Sequence, residues 1–507
     1  MMNIPIGRHS SGRHRAEIPA MQVARYFADP TLAYSSRREF LTRAGCGFGS
    51  LALGSLLAQS GMANPAAPAS TNPLAPRASH FEGKAKSVIW LFKNGGPSQV
   101  DTWDYKPELA KRDGKELEGF DNNTGFFTGA VGPLMKSPFQ FTQRGESGKY
   151  VSEIFPKLGG LVDRMTFIHS CWTDSNNHSP ALFRINTGIS RMGFPCVGSW
   201  VTYGLGTESQ SLPAFVVMYD TLGRGLPKGN ASNWGAGFLP SIYQGTALKP
   251  QGQPIDNLQR LSDVGAPQQR AQLDLLRSLN ERHLERNPTE SDLSARIESF
   301  ELAYRMQMAA PEALDLEKES KATQELYGLD NPKCTHFAKQ CLIARRMVER
   351  GVRFVQIYSG GMENERSWDG HQDIVKNHAG FGQETDTPIS GLILDLASRG
   401  LLESTLIVCC GEFGRLPIVQ KGGTGRDHNP HAFTTWMCGG GTKPGISYGS
   451  TDEIGFKAAE NRVSIHDLHA TILHLLGMDH ERLTYRFQGR DFRLTDVEGN
   501  VVREVLA

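Results

Sequence analysis

Six short stretches of the chain are dominated by apolar residues: Val88–Phe92, Met165–His169, Ala214–Tyr219, Arg353–Tyr358, Thr405–Cys410 and Phe433–Cys438. A strand with one wet face alternates apolar and polar residues. Continuous runs of this length predict strands covered on both faces. The first ends in Asn94-Gly95-Gly96 and the last in Gly439-Gly440-Gly441, which mark loops. Between the runs, helices are predicted over Cys334–Arg350, Thr387–Arg399 and Ser464–Leu476. Strands alternating with helices predict an α/β fold: a mostly parallel central sheet with helices on both faces. Residues of about 266–330 depart from this pattern. They are highly charged, with leucines at amphipathic spacing (Leu273, Leu275, Leu276, Leu279), and predict a helical insertion beside the sheet.

Composition changes the picture mainly at the N-terminus. The 507 residues are 39% hydrophobic and 21% charged, enough for a large core, and the net charge is +1. Near neutrality excludes a strongly basic nucleic-acid binder, and the scattered aromatics imply no base-stacking platform. The charge is unevenly spread, since residues 1–63 hold seven arginines against three acids. There Ser36-Arg37-Arg38-Glu39-Phe40-Leu41 precedes an apolar stretch, Ala44–Ala58, and small residues through Ala63. This layout looks like a twin-arginine signal peptide over 1–63. The chain is therefore expected to meet the twin-arginine export machinery and to work in the periplasm or outside the cell. Residues 64–83 are expected to be a flexible linker and 84–507 the mature α/β domain. No stretch reaches the roughly 20 apolar residues of a transmembrane helix. With Cys46 inside the signal, seven of the eight cysteines remain, so at least one is unpaired within the chain. Adjacent Cys409 and Cys410 read as core residues of a strand, and no Cys-x-x-C pair offers a structural zinc ribbon.

Ligands of parallel α/β sheets bind beyond the C-terminal ends of the strands, and the polar residues concentrate there. The loops carry Asn94 and Asp101; His178 and Ser179; Asp369 and His371; then Glu412, Arg415, Asp427 and His428. Carboxylates and imidazoles converging from several strand ends are the donors of a divalent metal site, mono- or dinuclear. Singly, each motif also reads as an ordinary turn, and the assignment rests on the four loops together.

Three segments carry a family resemblance. His178-Ser-Pro-Ala-Leu-Phe-Arg-Ile-Asn-Thr187-Gly188 resembles the sulfatase signature Cys-x-Pro-x-Arg-x-x-x-x-Thr-Gly. Thr405-Leu-Ile-Val-Cys-Cys-Gly-Glu412-Phe413-Gly414 resembles that superfamily's strand ending in Asp-His/Asn-Gly. Val463-Ser-Ile-His-Asp467-Leu-His-Ala-Thr471-Ile-Leu473 resembles its C-terminal helix. The order and spacing are similar to those of the alkaline phosphatase/sulfatase superfamily over most of residues 85–495. Gly95-Gly-Pro-Ser, Gly411-Glu-Phe-Gly-Arg and Gly425-Arg-Asp-His resemble, more closely, the exported family named for domain of unknown function 1501.

The resemblance implies an alkaline phosphatase-like fold and metal-assisted attack on a sulfate or phosphate ester, a small molecule or a saccharide. One or two divalent ions (zinc, manganese or calcium) would be held by Asp101, His178, Asp369, His371, Glu412 and His428. Glu412 stands where the superfamily has a metal-binding Asp, and His428 where it has the final metal His. Departures are equally plain. His178 occupies the place of the Cys that becomes formylglycine, Leu182 that of the signature Arg, Phe413 that of a ligand, and Asn94 that of an Asp. The implied catalytic groups are Ser179, otherwise only the cap of its helix, and Arg184, with Asn94 and Arg415 binding substrate. The departures leave a second expectation open, a non-catalytic exported binding protein on a degenerate fold of this kind.

Overall fold

The computed structural model describes residues 72–507 apart from 128, 130, 249–254, 256–263 and 287–290. The expected signal peptide lies outside the described residues, as does the first part of the expected linker. The strands of the central sheet and of the small three-stranded sheet beside it are, in chain order, β1 (Ser87–Lys93), β2 (Val131–Leu134), β3 (Met165–Trp172), β4 (Phe215–Met218), β5 (Thr246–Ala247), β6 (Phe354–Ser359), β7 (Thr405–Cys410), β8 (Gly414–Gln420), β9 (Arg426–Asn429), β10 (Phe433–Cys438), β11 (Ser447–Tyr448) and β12 (Val463–Ser464). The longer helices are α1 (His178–Thr187), α2 (Val197–Leu205), α3 (Ala266–Arg286), α4 (Ser291–Leu314), α5 (Lys321–Tyr327), α6 (Thr335–Glu349), α7 (Ile374–Ser398) and α8 (Ile465–Leu475).

The central sheet has the order β11-β3-β10-β7-β1-β6-β4-β5, with β12 beside β3. Every neighbouring pair is parallel except the two made by β10, which runs against β3 and β7. The mostly parallel α/β sheet expected from the apolar runs is what forms. Side-chain alternation sends Val88, Trp90 and Phe92 of β1 to one core and Ile89 and Leu91 to the other. The first core is closed by residues of α1, α2 and α8, the second by residues of α4, α6 and α7. Both faces are therefore covered, as a run without polar alternation requires. All seven described cysteines are buried free thiols, Cys409 and Cys410 among them. Among the described residues, no helix is long and apolar enough to cross a membrane.

Two expectations are corrected. Residues 72–83 do not behave as a flexible linker: Leu74 is buried in the first core, the Arg77 N–H donates to Leu205 O at 2.9 Å, and the His80 N–H donates to Gly477 O at 2.9 Å. Helix α7 begins at Ile374, well before Thr387. Asp386-Thr387-Pro388 imitates a helix start with Pro in the first turn. Instead Asp373 is the cap, its side chain accepting from the Lys376 N–H at 3.0 Å, and Pro388 lies inside the helix. In α8, His466 and His469 are buried, and their Nε2–H groups donate to Gly188 O and Ile185 O at 2.8 Å, tying α8 to the end of α1.

Candidate metal centre

The site lies at the C-terminal ends of the parallel strands. His178 opens α1 after β3, Asp369 and His371 follow β6, Glu412 follows β7, and His428 sits on β9. Two backbone features bring these loops together. Gly95, after β1, has φ +104°, and a Cβ there would stand 2.6 Å from Asp369 N, so only glycine lets the two loops touch. In the β8–β9 pair, His428 lies opposite Arg415.

His178, Asp369, His371 and His428 are all buried and offer ligand atoms within 4.8 Å of one another. His371 Nε2 lies 3.0 Å from His428 Nε2, and both lie near Asp369 Oδ1, at 2.8 and 3.2 Å. His178 Nε2 is 3.1 Å from Asp369 Oδ2 but out of line for a hydrogen bond, which leaves it a buried nitrogen without a partner. In a tetrahedral site with ligands at about 2.0–2.1 Å, donor atoms stand roughly 3.3–3.5 Å apart, so small shifts of these side chains would let the cluster hold a cation.

The outward nitrogens decide what the inward ones present. His371 Nδ1 meets Gln420 Oε1 at 2.7 Å, His428 Nδ1 meets Asn176 O at 2.6 Å, and His178 Nδ1 meets Glu412 Oε1 at 2.8 Å. Each of these oxygens accepts, so each Nδ1 carries its proton outward and each Nε2 lone pair points inward. With all three rings neutral, three lone pairs and a carboxylate converge, and a cation bound there would take the place of the proton that His178 otherwise holds. This is the arrangement in which a metal-bound histidine is oriented by an acceptor on its other nitrogen.

The electrostatics agree. Burial works against a charged His178, but Asp369 and Glu412 outweigh it and push its pKa up to about 9. Asp369 is held well below the usual carboxylate range although burial opposes this, through Arg415 and His178. His428 is pushed well below the usual histidine range, first by burial and then by His178. A positive charge is favoured among the two carboxylates, and His428 remains a neutral donor.

The structure reassigns four of the expected site residues. Asp101 is not in the cluster. Its two oxygens take Arg426 Nε at 2.7 Å and Nη2 at 3.1 Å, and Ser98 Oγ donates at 2.6 Å, so its lone pairs are spent on a buried ion pair. Glu412 stands behind His178, accepting from the Gly95 N–H at 2.9 Å, and orients the imidazole rather than joining the four. Arg184 lies in the last turn of α1, where Nη1 donates to Gly188 O at 2.8 Å, closing the helix end away from the cluster. Arg415 is fully buried and spends its guanidinium on Asp369 and on the carbonyls of Gly95, Gly96 and Arg426, so it has no face left for a substrate.

Asn94 is also buried, donating through Nδ2 to Gly361 O while its Oδ1 has no partner. Ser179 is half-buried beside His178, its N–H donating to the Asn177 cap at 3.2 Å. Sequence reasoning missed Gln420 and Asn176, which have no spacing signal. It also missed that Phe413 packs against the rings of His178 and His428, with centroids 4.9 and 4.5 Å away.

A family model described as "Protein of unknown function (DUF1501)" matches residues 85–506, and the chain belongs to that family. No curated protein matches the sequence. Solved structures with some likeness include the lipoteichoic acid synthase LtaP of Listeria monocytogenes, at 8% identity and TM-score 0.32, over 83% of this chain and 78% of that one. Another is the PsFucS1 sulfatase of Pseudoalteromonas sp., at 12% and 0.33, over 78% and 68%. A third is the phosphonate monoester hydrolase SpPMH of Silicibacter pomeroyi, at 11% and 0.36, over 83% and 76%. Likenesses this distant carry no argument about activity.

Proposed function

We propose that this DUF1501 protein is a metal-dependent hydrolase of a sulfate or phosphate ester. One observation carries the reading: three tautomer-fixed imidazoles and Asp369 converge inside the protein at the strand ends. The sequence resemblance to the sulfatase superfamily supplies the substrate class. His178, Asp369, His371 and His428 would hold the ion, and three imidazoles with one carboxylate suit zinc or a similar transition ion better than calcium. A divalent ion held there would supply polarisation of the ester and a more acidic water.

The chain's own residues do the rest. Glu412, Gln420 and Asn176 O fix the imidazoles, and Arg415 keeps Asp369 ionised. Ser179 is one residue along α1 from His178, about 100° around the helix, so we assign the attack to water. Ser179 remains the side chain to test as nucleophile, by Ser179→Ala. Arg184, bound at the far end of α1, has no role in this reading.

The test is hydrolysis of 4-nitrophenyl phosphate and 4-nitrophenyl sulfate by zinc- and manganese-loaded protein. Turnover of either ester, reduced at least about 100-fold by His428→Ala, is expected. No turnover by metal-replete protein would favour the second reading, a metal-holding exported binding protein. The burial of Arg415 and the Phe413 ring over the histidines speak for that alternative.

Export by the twin-arginine route to the periplasm or beyond belongs to the same proposal. It is supported by Arg37-Arg38 and the apolar stretch after them. Changing both to Lys is expected to leave precursor in the cytoplasm, and unchanged export would refute it.

A further inference from the structure

Above the cluster lies an aromatic surface that the metal ligands do not explain. The Phe126 ring stands 5.5 Å from that of His428, and the Phe127 ring stands 5.0 Å from that of His371, edge-on at 87°. The two phenyl rings are 5.1 Å apart at 87° and form a corner. The histidines beneath them are buried, yet Phe126 and Phe127 remain 45% and 41% exposed. Each therefore keeps apolar surface open beside the cluster.

This corner is fastened by residues that also support the cluster. Asn176 Nδ2 donates to Thr124 O at 3.2 Å and Gly125 O at 2.9 Å, while Asn176 O receives the His428 Nδ1–H. Asp427 Oδ2 accepts the Phe127 N–H at 2.8 Å, and its Oδ1 accepts the His428 N–H at 2.7 Å. A Cβ at Gly125 would lie 2.3 Å from Asp427 Oδ2, so glycine is what lets the backbone approach. The residues that place His428 thus place the aromatic corner too.

We propose that Phe126 and Phe127 form the wall that receives the organic part of the ester, and that this part is a ring. Aromatic walls favour another ring face or edge over a flexible alkyl chain. An aryl ester and a saccharide ester share this chemistry. The inference rests on the hydrolase reading only for the anion's attachment at the cluster.

The test measures binding of methylphosphonate, phenylphosphonate and cyclohexylphosphonate to zinc-loaded full-length protein by calorimetry. At least one ring-bearing anion is expected to bind about tenfold tighter than methylphosphonate. Preference for phenylphosphonate indicates an aryl group, and comparable cyclohexylphosphonate binding a saturated ring of the saccharide kind. In F126A/F127A the ring preference is expected to vanish with methylphosphonate affinity and zinc content unchanged. F126L/F127L, which keeps the apolar bulk, replaces it if zinc content shows misfolding.

Equal affinity for all three anions in the wild type would overturn the wall while leaving the anion site intact. A ring preference that survives either double substitution would overturn its assignment to these residues. Failure of all three to bind would overturn the anion-ester reading itself, and this inference with it.

Discussion

At the residue scale, burial separates roles that the sequence leaves merged. Asp101, Glu412 and Asp369 all read as metal carboxylates, because all three are acids in strand-end loops. What distinguishes them is which groups face them: Arg426 saturates Asp101, Glu412 faces the outer nitrogen of His178, and Asp369 faces three imidazoles. These partners come from distant chain positions, so no local spacing reports them. The same logic predicts opposite outcomes for two substitutions. Asp101→Asn breaks a fully buried ion pair and is expected to cost about 3–5 kcal/mol of stability, read as a lower denaturation midpoint, with zinc affinity of the folded protein unchanged. Gln420→Ala is expected to weaken zinc binding about 10–100-fold through loss of the acceptor on His371, with little effect on the midpoint. A large loss of zinc affinity in Asp101→Asn would return that residue to the ligand set.

At the element scale, the strands of the central sheet were legible because apolar runs covered on both faces leave a continuous signal. The small sheet of β2, β8 and β9 left none. Asp427-His428-Asn429-Pro430 reads as a turn, yet Arg426–Asn429 forms a fully buried strand because each polar side chain finds a partner from a distant segment: Arg426 meets Asp101, Asp427 the Phe127 N–H, His428 Asn176 O and Asn429 Phe456 O. Two buried histidines, on helices α7 and α8, contribute to the pH dependence. His378 on α7 is neutral by geometry: its Nε2 accepts the Ser98 N–H at 2.9 Å and its Nδ1–H donates to Asn377 Oδ1 at 3.0 Å. Burial pushes both His378 and His469 down to about 3. The unfolded chain takes up these protons below about pH 6.5, while the folded protein holds off until about pH 3. Stability is therefore whole above 6.5 and falls across that window, by up to roughly 1.4 kcal/mol per pH unit for each histidine. A denaturant midpoint that drops from pH 7 to pH 5, and drops less in H378N/H469L, is expected. A flat midpoint between those pH values would contradict it.

At the scale of the whole molecule, one doubly covered sheet delivers four loops to one edge, and a cluster that could hold a cation forms where they meet. The sequence showed which loops would meet, because each follows a parallel strand. It did not show that both arginines of the expected site would be spent inside the protein, since that depends on which carbonyls and carboxylates surround them once folded. With the arginines engaged, an ion at the cluster would have to carry the positive charge that the proposed anionic ester requires. Elemental analysis of protein purified without chelators and saturated with zinc is therefore the most direct measurement. The account predicts about one equivalent of zinc, retained through dialysis by the wild type and lost by His428→Ala and His371→Ala. Less than about a tenth of an equivalent in the wild type, or full retention in both variants, would contradict it.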